Sequence, residues 1–254
     1  MKFKIIIITI CSFLLISCAS KKIDELAGLT PEQLYQEGMK KMRAESYSGS
    51  LKYFDRINQE FPYSSLASRS QLMESYAYYK TGKYEYALAS LEDYISLYPG
   101  EKSIQYAYYL KSLCYYNQIL EVRFDQHTTE QAKTSLMEII NRFPESKYSR
   151  DAKFKLSLVL DHLAGKEMEI GRFYLNQGSI IAAINRFQIV VLQYQSTSQI
   201  QEALYRLVEC YYILGVEEEA KKYDAVLGNN YPESKWYKHS YNLLEGNNAK
   251  ASKN

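Results

Sequence analysis

Four of the five prolines in this 254-residue chain directly follow an aromatic residue: Phe61-Pro62, Tyr98-Pro99, Phe143-Pro144 and Tyr231-Pro232. Tyr194-Gln195 is a degenerate copy of the same ending, so the endpoints fall at 62, 99, 144, 195 and 232, spaced by 37, 45, 51 and 37 residues. Spacing of this order marks a repeat architecture, in which each unit buries its apolar face only against its neighbours. Twelve positions before each endpoint stands a small residue: Ser50, Ala87, Ala132, Ala183 and Ala220. Eight before stand Phe54, Leu91, Leu136, Phe187 and Asp224, and five before stand Ile57, Tyr94, Ile139, Val190 and Leu227. With the terminal aromatic, the offsets run i, i+4, i+7, i+11, which is one stripe of an α-helix. The small residue predicts a close approach by a neighbouring helix, and the larger side chains fill the space beyond it.

The first half of the unit is legible in 74–99, ESYAYYKTGKYEYALASLEDYISLYP, because a near-copy lies 133 residues downstream. Tyr78, Tyr79, Gly82, Ala87, Tyr98 and Pro99 recur as Tyr211, Tyr212, Gly215, Ala220, Tyr231 and Pro232. Tyr-Tyr-x-x-Gly before an alanine, closed by aromatic-Pro, resembles the tetratricopeptide repeat, a helix, a tight turn and a second helix in about 34 residues. Gly82 and Gly215 fit the turn, where a residue without Cβ tolerates a left-handed conformation. Each proline ends the second helix by restricting the residue before it, and Ser64, Ser146, Ser196 and Ser234 are candidate caps for the helix that follows.

The fold expected is therefore all-α: an α-solenoid of about five tetratricopeptide-like helix pairs with a C-terminal capping helix, together covering 31–244, and a disordered tail over 245–254. Two places depart from the regular unit. EVRFDQHT, 121–128, lengthens the turn of the third repeat, and the first helix of the fourth runs long through AKFKLSLVLDHLAGKEMEIGRFYLNQG, 152–178.

The chain begins MKFKIIIITICSFLLISC, with Lys2 and Lys4 ahead of an uncharged apolar run. This pattern is a secretory signal, expected over 1–17, and Leu15-Ile16-Ser17-Cys18 resembles a bacterial lipobox. Cys18 would then become the acylated N-terminus of a lipidated tether spanning 18–30, and more than one acyl chain holds a protein stably on a membrane. Ala19 in place of Asp directs such lipoproteins to the outer membrane. Removal of the signal leaves 31 − 2 = 29 basic against 29 acidic residues, so the mature chain is formally neutral and offers no overall basicity for nucleic acid. Of the four cysteines, only Cys114 and Cys210 remain beyond Cys18; they read as two small buried side chains or as a disulfide.

Nothing in the sequence assembles a catalytic centre. His127, His162 and His239 are isolated, and HExxH, GxSxG and paired CxxC patterns are absent. AGKEM at Ala164 has a superficial likeness to a phosphate loop, but lacks the upstream glycine and the Ser or Thr after lysine. Asp161 and His162 adjoin on one helix and do not face each other. Glu217-Glu218-Glu219 suits the start of a helix, where negative charge is favoured. No enzyme, no metal and no cofactor is expected. What remains is surface: a solenoid curves around an extended concave face suited to peptides and partner domains, and tyrosines there offer contact area with a polar tip. Most of the 26 tyrosines are expected to pack helix against helix, with binding reserved for the concave set.

A lipid anchor followed by five such repeats resembles the BamD family of outer-membrane protein assembly factors. The likeness is carried by FPYSSLASRSQLMESYAYYKTGKY, IQYAYYLKSL, RFPESKYSRDA and DHLAGKEMEIGRFYLNQGSIIAAINRF, the last two being the more specific. Gly100-Glu101-Lys102 stands where the family often has a histidine, and Ser112 replaces a usual glycine. The resemblance implies a periplasm-facing outer-membrane lipoprotein that works with the barrel-forming subunit BamA and other BAM subunits to insert β-barrel proteins. It implies that N-terminal repeats receive the extended, aromatic-ended signal of an unfolded barrel protein, through a face including Phe61, Tyr63, Tyr76 and Tyr79. It also implies that C-terminal repeats dock the POTRA region of BamA, with Arg186 in the contact; an ion pair within the solenoid is the alternative role for Arg186. A lipoprotein scaffold of pilus assembly or envelope division would share the anchor and repeats, but not the AGKEM to INRF block. A peptidoglycan lyase would need a catalytic domain for which the residues after Pro232 are too few.

Overall fold

The computed structural model describes residues 25–251. The signal segment expected over 1–17 and Cys18, the expected site of acylation, lie outside the described residues. Eleven helices and no strand occur among the described residues: α1 Pro31–Arg43, α2 Tyr47–Glu60, α3 Ala67–Lys80, α4 Tyr84–Leu97, α5 Ile104–Tyr116, α6 His127–Arg142, α7 Lys147–Asn176, α8 Ile180–Gln193, α9 Ile200–Ile213, α10 Glu217–Asn230 and α11 Lys235–Ala251. They form five consecutive pairs and a capping helix, as the repeat spacing requires. None of the described helices is long and apolar enough to cross a membrane.

Each second helix ends on its aromatic in one shared conformation. Phe61, Tyr98, Phe143, Tyr194 and Tyr231 have φ between −139° and −127° and ψ between 38° and 59°. Tyr194 keeps this geometry without a following proline, so the fourth boundary is a true copy. The helical stripe read from the sequence is the core: Ser50, Ala87, Ala132, Ala183, Ala220, Phe54, Leu91, Leu136, Phe187, Ile57, Tyr94, Ile139, Val190 and Leu227 are all buried. Asp224 is the exception, half-buried and accepting a hydrogen bond from Ser240 of α11 at 2.5 Å. The capping helix thus satisfies a polar side chain where earlier repeats place an apolar one.

Partner size is matched across the first and fourth pairs. A Cβ on Gly38 would lie 2.7 Å from the Phe54 ring, and one on Gly171 would lie 2.4 Å from the Phe187 ring. Both glycines stand sixteen residues before their phenylalanine, so repeats one and four use the same arrangement; Ser75 and Ser112 are buried small residues in α3 and α5. Burying a phenylalanine is worth roughly 2–3 kcal/mol, and here it depends on the absent Cβ of a glycine.

Turns follow local chemistry. Gly82, Gly178 and Gly215 hold φ near +74° between paired helices, where a Cβ is penalised. Pro31 opens α1 rather than ending a repeat, with Thr30 accepting from the Gln33 N–H at 3.3 Å and donating its own N–H to Gln33 Oε1 at 2.9 Å. Ser146 caps α7 by accepting from Ser149 N–H, and Ser234 accepts from Trp236 N–H at the start of α11. Ser64 and Ser196 do not cap: α3 and α9 start further along, after Leu66 and Gln199, and Ser64 closes a short turn with Leu66 N–H instead.

The irregular third turn spans 117–126; His127 and Thr128 already belong to α6, whose first N–H donates to Asp125 at 3.3 Å. Helix α7 has 30 residues, about twice the length of α8, so its first half packs on α5 and α6 and its second half on α8 and α9. Gly165 does not break it, since one interior glycine costs only about 1 kcal/mol; Val122 from the long turn packs 3.8 Å from where its Cβ would be. Glu217, Glu218 and Glu219 form the first turn of α10. α11 continues to Ala251, so helix occupies most of the stretch from Glu245 read as a disordered tail. No proline interrupts it, Ala249, Lys250 and Ala251 favour helix, and Gly246 costs only about 1 kcal/mol. Cys114 and Cys210 are free and buried.

Candidate partner-binding surface

The first helices of successive repeats touch in order, α3 on α5 and α5 on α7, and this layer carries a continuous run of tyrosines. Tyr47, at the start of α2, meets Tyr76 of α3 edge-on at 6.2 Å, and Tyr76 lies 6.3 Å from Tyr79. On α5, Tyr106 lies 5.5 Å from Tyr148 of α7, and Tyr109 stacks on the same Tyr148 at 5.0 Å. The spacing of 76 and 79, and of 106 and 109, places both rings of each pair on one helix face, so adjacent helices present matching rungs.

At one end the run opens into a cavity of about 420 Å³ lined by Met39, Met42, Tyr47, Met73, Tyr76 and Tyr106, with Arg43 at the exposed rim. Methionine side chains are polarisable and adaptable, so this pocket can accept apolar or aromatic groups of varied shape. At the other end the run becomes polar. Tyr109 donates to Asp151 at 2.6 Å, and Lys155 donates to the same carboxylate at 2.7 Å. Burial alone would raise Asp151, but donation from Lys155 and Tyr109 outweighs it and holds the carboxyl below its ordinary range. Burial, followed by neighbouring tyrosines, pushes the Tyr106 phenol well above the usual tyrosine range; burial and then Asp151 do the same for Tyr109. Both phenols are therefore neutral at physiological pH and offer hydrogen bonds rather than charge.

Of the substrate residues expected from the sequence, Tyr76 and Tyr79 fall within this run, and Tyr79 also accepts from Asn117 at 2.9 Å. Phe61 and Tyr63 do not join them. They precede α3, whose axis carries the chain roughly 18 Å from Ala67 to Tyr79. Phe61 closes α2 at the repeat boundary, and Tyr63 is fully solvent-exposed. Tyr47, Tyr106, Tyr109, Tyr148 and the methionines belong to the surface but carry no sequence signal separating them from packing tyrosines. Only the relative rotation of neighbouring repeats brings them together.

Arg186, on α8, donates to Glu167 of α7 at 3.1 Å, and both side chains are partly buried. The ion pair within the solenoid, the alternative role read from the sequence, is thus formed. Beside it, Glu167 lines an open cavity with Lys166, Arg123 and Tyr194. Asp161 accepts from both the N–H and the hydroxyl of Ser198, at 2.8 and 2.6 Å, which fastens α7 to the start of α9. His162 does not share that contact, and its Nε2 is buried without a hydrogen-bond partner. Among the described residues, no three His, Cys, Asp or Glu side chains are grouped to hold a metal ion.

Residues 28–227 match the sequence family YfiO, described as outer membrane lipoprotein. An outer membrane protein assembly factor BamD from Caulobacter vibrioides is 45% identical over 216 residues, covering 85% of this chain and 71% of that protein. The BamD of Rickettsia prowazekii is 44% identical over 228 residues, covering 90% of this chain and 91% of that protein. That of Neisseria meningitidis serogroup A is 31% identical over 255 residues, covering 94% and 95%.

Proposed function

This chain belongs to the BamD family of outer-membrane protein assembly factors, and we propose that the tyrosine run of its first helices is the surface on which unfolded barrel proteins are received. It is an outer-membrane-associated assembly factor of the BAM complex. An extended segment ending in an aromatic residue would place that ring in the methionine-lined cavity, with its terminal carboxylate near Arg43. The upstream residues would lie across Tyr76, Tyr79, Tyr106 and Tyr109, whose neutral phenols can bond to the backbone of an extended strand. Phe61 and Tyr63 would be reached only by a longer segment passing the repeat boundary. The observation that carries this reading is the continuity of the run from an apolar pocket to a polar end across three repeats.

Cys18 would anchor the protein by acyl chains, with the solenoid facing the periplasm. Arg186 would contribute to the contact with the POTRA region of BamA by exchanging Glu167 for a carboxylate of the partner, a contact suited to a guanidinium. The relatives' naming as outer membrane protein assembly factors favours this function over a pilus or envelope-division scaffold.

The test is site-directed photocrosslinking of a peptide that ends in an aromatic residue. Probes at Tyr76 and Tyr106 should trap it, and a peptide with a terminal alanine should compete poorly. Equal trapping from Tyr63 and Tyr76 would remove the assignment of the tyrosine run.

A further inference from the structure

The length of α7 leaves part of it bare. In the stack each first helix is covered by the next, and α9 covers α7 through Ser198 to Asp161 and Glu202 to Arg172, contacts that lie at or beyond Asp161. Before that point no element follows on the same face. Phe154 is 63% exposed and Leu158 45% exposed, one turn apart on the side of the helix where Asp161 and Arg172 meet α9 further along. The other faces of this half are occupied: Tyr148, Asp151 and Lys155 turn to α5, and Ala152 and Val159 are buried in the core shared with α6.

The bare face also carries a surplus of basic charge. Lys147, Arg150 and Lys153 are exposed around Phe154, and none of the three makes an ion pair among the described residues. Asp151, the acid within this segment, lies at the edge of this face three residues before Phe154, where Lys155 and Tyr109 both donate to its carboxylate and Lys155 offsets its charge. The 194–199 loop and the start of α9 form a wall at the far end, fastened by Asp161. The result is a slot along α7, closed at one end, apolar along its floor and basic at its rim.

We propose that this slot takes an amphipathic helix of a partner protein, carrying carboxylates beside an apolar stripe, which occupies the place a following first helix would fill. Charge complementarity selects an acidic partner, and the closed end selects a helix over a flat lipid surface. The site adjoins the polar end of the tyrosine run at Asp151 and is separate from Arg186, and it does not depend on the function assigned to either.

A photocrosslinking amino acid at Phe154, in the full chain in its native membrane, should give a protein adduct. Mass spectrometry of the trapped peptide should show apolar residues at helical spacing with at least two Asp or Glu among them. Arg150→Glu with Lys153→Glu, both at exposed positions, should keep the helical circular dichroism and lower the adduct yield about fivefold or more, since two exposed ion pairs at roughly 0.5 kcal/mol each are lost. Adducts only with phospholipid, no adduct, a trapped segment without acidic character, or a yield unchanged in the doubly reversed variant would each overturn the proposal.

Discussion

Replacing Glu74 by glutamine should stabilise the protein at alkaline pH and should do little in mild acid. Glu74 lies in α3, 9% exposed, where it accepts from Asn58 of α2 at 2.7 Å and faces Asp55 of α2 and Tyr78 of its own helix. Burial first, and the Asp55 charge second, push its carboxyl from 4.5 to about 7, against the opposing bonds from Asn58 and Tyr78. The folded state therefore holds the proton more tightly than the unfolded chain. Its contribution to stability is full below pH 4.5 and is lost as pH rises to about 7. A difference of about 2.5 units corresponds to ~3 kcal/mol of destabilisation once the group is ionised. Glutamine keeps the acceptor for Asn58 and cannot ionise, so Glu74→Gln should gain up to ~3 kcal/mol at pH 8, or roughly 6–12 °C in melting temperature for a chain of this size. Urea unfolding followed by far-ultraviolet circular dichroism at pH 5 and pH 8, with hydrogen exchange on α2 and α3 to localise the effect, measures it. A glutamine variant less stable than the parent at pH 8, or a difference identical at the two pH values, would refute the reasoning.

Gly171→Ala should destabilise the fourth repeat by about 1–3 kcal/mol through contact with the Phe187 ring, and Phe187→Leu in the same chain should recover part of it, read by urea midpoint. Arg186→Glu should reduce co-purification of BamA, and adding Glu167→Arg, which restores the ion pair in reverse, should not restore it. Recovery in the double variant would assign Arg186 to the solenoid alone. Cys114 and Cys210, buried and with thiols pushed up to about 12 chiefly by burial, should react with a thiol reagent at pH 8 only when the protein is unfolded.

The repeat plan was legible because it is written in short-range spacing. Ser50, Phe54 and Ile57, and all their copies but Asp224, are buried at positions that one helix fixes by itself, and that burial follows from the stripe. The long α7 was likewise visible as a pattern with no terminator. What the spacing does not contain is the rotation of one repeat on the next. Tyr76 and Tyr79 lie on the aromatic run while Phe61 and Tyr63 do not, although all four come from one stretch of sequence. Tyr109 joins that run by meeting Tyr148 and Asp151, some forty residues away. Glu74 gives no sign in the sequence of its raised carboxyl, which arises when packing buries it and α2 brings the Asp55 charge near. Arg186 has its local partner for the same reason: Glu167 is a full helix earlier in the chain.

The unbroken α7 fixes a phase relation across the molecule. Its first half is gripped by α5 and α6 and its second by α8 and α9, so the helix transmits an angle as well as a distance. One residue inserted or deleted between the two grips would turn the C-terminal repeats by ~100° about the helix axis and shift them by ~1.5 Å, while leaving every local packing contact of both halves available. The tyrosine-lined end and the Arg186 end would then point in unrelated directions. The number of residues between the grips is in this sense a stored orientation, and chain length there is constrained by geometry even at positions whose side chains touch nothing.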